Sequence, residues 1–226
     1  MRRVVVTGLG VIAPNGNGTS EFEAALRKGR SGIRVQQSMV DAKFGSHVAG
    51  TPLGVDELAE ATFPESELMA MNMSHRFASL AAAEAWTSAG FEVPDLDSDV
   101  DWDTGAILGT GIGGMDTTAE VVVPMTNDKK IRRMGSTAVE QVMASGISAR
   151  VSGQLALGNQ VTTNSSACST GTEAISMGLE RIRIGLAERM ICGGAEGASH
   201  YIWAGFDAMR VLCRTFNATP NAHRAR

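Results

Sequence analysis

The sequence predicts an α/β fold with a largely parallel sheet, on three observations. Apolar, β-branched runs recur at residues 3–9, 104–108, 160–165 and 189–192. Segments with helical periodicity alternate with them, the order that builds parallel strands joined by helical crossovers. Glycine is abundant at 26 residues and aromatics are few at 5%, which suits tight turns and closely packed helices.

Residues 3–9 form a continuous apolar run, as expected of a central strand buried on both faces. Residues 10–18, rich in Gly and Asn, make a loop, and Thr19 or Ser20 is positioned to cap a short helix ending at Gly29. Residues 31–51 read as irregular, with a short strand at 47–49. Pro64 opens a helical stretch. Residues 74–89 predict a stronger helix stopped by Gly90, with Phe77, Leu80, Ala81 and Ala85 on its inner face. The second strand, 104–108, is closed by Gly109-Thr110-Gly111-Ile112-Gly113-Gly114. Residues 115–125 fit no single period, and 127–133 form a basic loop. Residues 136–144 are helical. Ile147, Val151 and Leu155 repeat every four residues in a helix over 146–157 that Gly158 ends. The third strand, 160–165, leads through a small-residue turn into a helix over 172–184. The fourth, 189–192, is closed by Gly193-Gly194, and 201–209 is helical. The tail, 214–226, shows no terminal element and reads as a chain that stops short.

Composition narrows the function. Hydrophobic content of 43%, charged content of 19% and a net charge of −4 describe a globular protein with no electrostatic signature of nucleic-acid binding. Three cysteines without a CxxC pair argue for a reducing compartment and against a disulfide framework or metal site. No apolar run reaches the ~18–20 residues of a membrane span. Met1-Arg2-Arg3 ahead of an apolar run faintly resembles a signal peptide. The run is β-branched and carries Gly8 and Gly10 without a cleavage site, so a cytoplasmic protein is expected.

Cys168 is the residue with the most chemistry. It lies in Asn164-Ser165-Ser166-Ala167-Cys168-Ser169-Thr170-Gly171, between a strand and a helix. A thiol at a helix N-terminus faces unpaired N–H groups and the positive end of the macrodipole, a setting that favours the reactive thiolate. A buried structural cysteine is the commoner case, but the strand-turn-helix context favours a nucleophile. Small residues at Gly171, Ala174 and Gly178 let another backbone approach that helix, which is expected to be buried. Cys192, within an apolar strand, reads as inert core. Gly8-Leu9-Gly10-Val11-Ile12-Ala13 matches a dinucleotide-binding fingerprint. The Pro, Asn and Gly residues that follow replace the required helix, so a nucleotide site is not expected. His47, His75, His200 and His223 read as surface or structural residues, none at a spacing that marks a base for Cys168. Lys129, Lys130, Arg132 and Arg133 form one compact basic patch, either a solvated loop or a dock for an acidic partner.

These segments together resemble the elongating β-ketoacyl-acyl-carrier-protein synthases. Val4-Val5-Val6-Thr7-Gly8-Leu9-Gly10-Val11 is similar to the family's opening, and Ser31-Gly32-Ile33 to its next short motif. Gly109 to Gly114 is similar to its Gly-rich turn, and Met143-Ala144-Ser145-Gly146-Ile147-Ser148-Ala149 to the segment before its nucleophile strand. Ser165-Ser166-Ala167-Cys168-Ser169-Thr170 resembles its active-site motif. Gly193-Gly194-Ala195-Glu196 and Phe206-Asp207-Ala208-Met209 continue the match. The likeness runs along nearly the whole chain and covers about the first half of a full family member.

The resemblance implies a thiolase-like layered α/β/α fold, one half of a duplicated architecture, with residues 1–226 as an N-terminal ketosynthase domain incomplete at its end. It implies that Cys168 accepts an acyl group from the phosphopantetheine arm of an acyl carrier protein. Condensation with malonyl-carrier protein after decarboxylation would follow, with no further cofactor or metal. The Cys168 backbone N–H would be one oxyanion donor, and Ile112 and Phe206 would line or gate the acyl pocket. Strand 160–165 would pair across a homodimer axis, and the basic patch would help dock the carrier. The family's catalytic histidines, lysine and second oxyanion donor are not matched here, so the 226 residues alone are expected not to condense substrates. Pro64-Glu65-Ser66-Glu67 stands where family members often carry basic docking residues, which points to an unusual carrier or a specialised pathway such as polyketide or polyene synthesis. Two alternatives remain open. One is thiolase-like or other acyl transfer through the same cysteine. The other is a truncated, non-catalytic partner.

Overall fold

The computed structural model describes residues 2–95 and 97–222. Residues 3–9 form no strand there, against expectation. Instead residues 8–11 lie along a helix: the Leu9 N–H donates to Ser88 Oγ at 3.0 Å and the Val11 N–H to Glu84 Oε2 at 2.9 Å. A side chain at Gly10 would come within 1.8 Å of the Ala81 carbonyl oxygen, so Gly8 and Gly10 let this segment pack closely on the helix. The physical reason for the missing strand is the lack of a ladder partner among the described residues, which leaves Val6 75% exposed.

A two-residue hairpin follows, β1 (Ile12–Ala13) against β2 (Gly16–Asn17). Helix α1 (Thr19–Arg27) begins after Gly18, at φ 89, without a side-chain cap. Neither Thr19 nor Ser20 caps it; the Thr19 hydroxyl and N–H both donate to Glu84 at 2.8 and 2.6 Å, so a tertiary contact replaces the local one. Strand β3 (Ile33–Val35) pairs antiparallel with β4 (Val48–Gly50), flanking α2 (Gln37–Asp41). Helix α3 (Val55–Thr62) has no forerunner in the sequence reading; it buries Val55 and Ala59 against Phe63, Met71 and Leu80. The short α4 (Glu65–Leu68) is followed by α5 (Met73–Ser88), capped by the Asn72 side chain accepting from the His75 N–H. The buried face of α5 runs through His75, Ala78, Ser79, Ala82 and Trp86 as well as Leu80. Ala81 and Ala85, expected inside the core, face the N-terminal segment and are half-buried.

The sheet that positions the site has β5 (Thr104–Gly109) at its centre. It is completely buried and pairs in parallel with β6 (Val161–Thr162) on one side and β7 (Arg189–Gly194) on the other. The register places Ala106 opposite Val161 and Ile191. The sheet is therefore parallel but three-stranded, not four-stranded, and the third strand is paired over only two of its six expected residues. Between β5 and β6 lie α6 (Met115–Thr117), a wide π turn (Thr118–Val122), α7 (Val123–Asn127), α8 (Ala138–Val142) and α9 (Gly146–Gln154). Helices α5 and α9 cover one face of β5, packing Ala78, Ala82, Trp86, Ile147, Val151 and Leu155 on Ala106 and Leu108. Helix α10 (Thr170–Arg183) covers the other face, and α11 (His200–Ala208) packs beside α6.

Helix α10 buries only its small-residue stripe: Thr170, Ala174 and Gly178 are inside. A side chain at Gly178 would lie 2.2 Å from Cys192 Sγ, so helix and β7 touch there. The expectation of a buried helix is corrected, since the rest of α10 faces outward, with Ile175 55% exposed. Val5, Val6, Leu9, Ile184 and Leu186 are likewise exposed, and exposed apolar surface favours association. The 226-residue chain is accordingly expected to self-associate or precipitate. A monodisperse monomer at tens of micromolar, by light scattering after gel filtration, would contradict this. Among the described residues no helix is long and apolar enough to cross a membrane, and no group of His, Cys, Asp and Glu is placed to hold a metal ion.

Candidate acyl-transfer site

Strand β6 delivers the chain to a turn in which Ala167, Cys168 and Ser169 form one 3-10 turn directly before α10. The helix thus starts two residues earlier than the sequence predicts, and Cys168 lies within its lead-in. Its thiol is exposed. Ala167 adopts φ 52, a left-handed conformation that costs a non-glycine residue about 1 kcal/mol or more and that accumulates at functional turns.

Hydrogen bonds hold that conformation. Thr170, which is buried, accepts from the Ser166 N–H at 2.9 Å and donates to the Ala167 carbonyl at 2.7 Å. Asn164 Nδ2 donates to the Thr170 carbonyl at 2.8 Å and to Glu173 at 3.1 Å, and the Ser166 hydroxyl donates to Glu173. The Ser166 hydroxyl, then Asn164, hold the Glu173 carboxyl below its ordinary pKa. Three glycines bring the neighbouring backbones close. A side chain at Gly109 would strike Thr170 Cγ2 at 1.9 Å, and one at Gly194 would meet the Gly171 Cα at 3.2 Å.

The Gly-rich turn after β5 closes over this arrangement. Its Thr110 hydroxyl donates to Glu196 at 2.8 Å and its Gly111 N–H donates to the same carboxylate at 2.7 Å. The Ser165 hydroxyl reaches the Gly111 carbonyl at 3.4 Å. Ile112, at the top of the turn, is 41% exposed, and Phe206 on α11 is 36% exposed. Thus β5, β6, β7 and the start of α10 bring Cys168 and the turn carrying Ile112 together. Glu196 was read in sequence only as part of a motif. Nothing in an isolated exposed acid signals a bridge to residues 85 positions away.

The other candidates lie elsewhere. Lys129, Lys130, Arg132 and Arg133 are all exposed around the end of α7 and a 3-10 turn (Ile131–Arg133); Lys130 pairs with Asp128 at 2.7 Å. His75 is 2% exposed on α5, and burial with the nearby Arg150 charge lowers its pKa to about 4. The Ala70 carbonyl lies near enough to favour its charged form, yet neither ring nitrogen has a hydrogen-bond partner of good geometry. His75 borders an open cleft of about 1050 Å³ between α5 and α9 whose lining does not include Cys168. His200 stacks beside Tyr201 at 4.0 Å, and the His47 N–H donates to Asn217. His223 lies outside the described residues. None of the described histidines takes part in the hydrogen bonds of the Cys168 turn. Burial raises the Cys192 pKa to about 11, in keeping with an inert core thiol.

A parallel α/β layer that displays an exposed thiol on a constrained strand-to-helix turn, under a Gly-rich loop, defines a class: thiolase-like proteins. The chain belongs to the β-ketoacyl synthase family, whose N-terminal domain matches residues 1–225. It is 31% identical over 221 residues to 3-oxoacyl-[acyl-carrier-protein] synthase 1 of Haemophilus influenzae, covering 97% of this chain and 53% of that protein. It is 32% identical over 219 residues to 3-oxoacyl-[acyl-carrier-protein] synthase 2 of Synechocystis, covering 93% and 50%. Among solved structures, a β-ketoacyl synthase from Burkholderia phymatum superposes with a TM-score of 0.88 at 27% identity, over 99% of this chain and 54% of that one. A type II polyketide ketosynthase, solved in complex with its acyl-carrier protein, superposes with a TM-score of 0.78 at 25% identity, over 94% and 50%. The chain spans about half the length of the curated relatives it matches.

Proposed function

We propose that this chain supplies the acyl-accepting part of a ketosynthase that performs decarboxylative Claisen condensation in fatty-acid or polyketide synthesis. The observation that carries the reading is Cys168, an exposed thiol on a turn fixed by Thr170, Asn164 and Glu173 at the start of α10. The Cys168 thiolate attacks the thioester carbonyl of an acyl carrier protein. A new thioester forms on Sγ, and the phosphopantetheine thiol leaves, taking up a proton. The Cys168 N–H, in the 3-10 turn that leads into α10, would serve as one donor to the oxyanion of that step. The condensation that follows needs a proton-transfer group beside the acyl-enzyme, and no described histidine shares the hydrogen bonds of this turn.

Ile112 and Phe206 are assigned to the acyl pocket, and Lys129, Lys130, Arg132 and Arg133 to docking an acidic carrier protein. With Lys130 held by Asp128, three cations of the patch have no ion-pair partner among the described residues. The acidic α4 carries Glu65 and Glu67, which argues for a carrier whose contacts avoid that helix. A homodimer is supported by β6, whose outer edge is unpaired among the described residues.

Incubating the protein with carrier protein bearing a radiolabelled acyl group should transfer the label to Cys168. The variant Cys168→Ala should take up less than about one per cent as much, as expected when the nucleophile itself is removed. No label on Cys168, or undiminished label on the variant, would overturn the assignment. In the ketosynthase of which this chain is the proposed part, acetyl thioesters condensing as well as malonyl ones would instead indicate transfer without decarboxylation.

A further inference from the structure

We infer that Glu196 is a positioning residue that latches the Gly-rich turn beside Cys168 and so sets which acyl chains can pass Ile112. The inference rests on the acyl-transfer reading above. Glu196 stands two residues beyond β7, and its carboxylate makes two charge-assisted hydrogen bonds to consecutive residues of the turn. Oε1 accepts from the Thr110 hydroxyl at 2.8 Å, and Oε2 from the Gly111 N–H at 2.7 Å. The Thr110 oxygen in turn accepts from the Gly113 N–H at 3.1 Å. Ile112 is therefore held from both sides: Gly111 is bound to the carboxylate directly, and Gly113 through a buried threonine.

The latch reaches the nucleophile as well. A methyl group at residue 111 would lie 2.9 Å from Glu196 Oε2 and 3.9 Å from the Cα of Ala167, the residue before Cys168. The carboxylate, the turn and the strained Ala167 backbone thus stack in that order. The Ala195 N–H donating to the Gly109 carbonyl at 3.1 Å fixes the base of the carboxylate's own segment to the end of β5. The turn has no side chain at Gly111 or Gly113 and is held by hydrogen bonds: the Ser165 hydroxyl to the Gly111 carbonyl and the Gly114 N–H to the Val142 carbonyl, both at 3.4 Å, and the two shorter ones to Glu196. With Ile112 assigned to the acyl pocket, losing the Glu196 pair frees it to swing and would widen the path to Sγ for a long chain. A short chain, which need not pass Ile112, is unaffected.

The test compares alkylation of Cys168 by N-ethylmaleimide and N-octylmaleimide at sub-micromolar protein, below the concentration at which self-association is expected. Glu196→Ala should raise the octyl-to-ethyl rate ratio about 10- to 100-fold, the scale of one charge-assisted hydrogen bond, while the ethyl rate changes less than about twofold. Glu196→Gln, which keeps one acceptor, should lie between. Thr110→Val should shift the ratio the same way, and the double variant should change it by less than the product of the two single effects, since both break the Thr110–Glu196 bond. An unchanged ratio, or equal changes in both rates, would overturn the latch, the second outcome marking a general structural role. Alkylation needs no acyl donor. A Cys168 that takes up no acyl group from a carrier would remove the proposed reaction without altering this readout.

Discussion

Gly109→Ala is expected to cost about 2–5 kcal/mol of stability and to reduce Cys168 alkylation at least tenfold. The added methyl would sit 1.9 Å from Thr170 Cγ2, 2.6 Å from Asn164 Oδ1 and 2.7 Å from the Asn164 carbonyl oxygen. Overpacking alone costs about 1–3 kcal/mol. The strand cannot retreat, because β5 is bonded on both sides, so the displaced group is the buried Thr170 side chain. Moving it breaks the bonds to the Ser166 N–H and Ala167 carbonyl, each worth about 1 kcal/mol net. Those bonds hold Ala167 in its left-handed conformation, so the nucleophile's lead-in relaxes at the same time. Urea denaturation and N-ethylmaleimide kinetics would read the two effects. A variant within 0.5 kcal/mol of the parent, equally reactive, would show that the contact between β5 and α10 does not constrain the turn.

His75 makes the second large effect. In the folded chain its pKa is lowered to about 4, chiefly by burial and then by the Arg150 charge, with the Ala70 carbonyl and Asp116 opposing. The unfolded chain protonates this histidine near its ordinary value of 6.5. Its neutral state therefore contributes fully above about pH 6.5, and that contribution is lost as pH falls towards 4. The loss over this window is roughly 3 kcal/mol, from 1.36 kcal/mol per pH unit. His75→Phe, which keeps a ring of similar size and cannot titrate, should flatten the stability profile between pH 6.5 and 4. Denaturant titrations of both proteins at pH 7.5 and 4.5 would measure it. Parallel profiles would mean that His75 is not held neutral.

Sequence and structure agree most closely where one local signal matches one tertiary demand. Strands β5 and β7, ended by Gly109 and Gly193-Gly194, form as expected because apolar runs closed by glycine suit a buried parallel sheet. The turn at Cys168 was equally legible, since small residues between a strand and a helix leave few conformations. What escaped depended on partners distant in the chain. The apolar run at 3–9 has the composition of a strand, but composition does not supply a neighbour to pair with. Thr19 is a good cap by type, yet Glu84, 65 residues on, claims its hydroxyl. The buried face of α5 lies one residue, about 100°, round the helix from the predicted one, because Ala, Ser and His carry little periodic contrast. Glu196 was the most consequential miss. Its two hydrogen bonds join the ends of different strands, and no spacing rule connects them.

The central position of β5 also has a temporal consequence. Both strands that flank it come later in the chain, β6 more than 50 residues on and β7 about 85 residues after β5 begins. At roughly 5–20 residues per second, a ribosome needs about 4–17 s to supply the last of them. For that interval the most apolar strand of the sheet has been synthesised but cannot complete its ladder. Helices α5 and α9, made before β6 and β7, are the elements available to shield it. The residues that cover Ala106 and Leu108 in the finished fold are thus also placed to keep the nascent chain from aggregating.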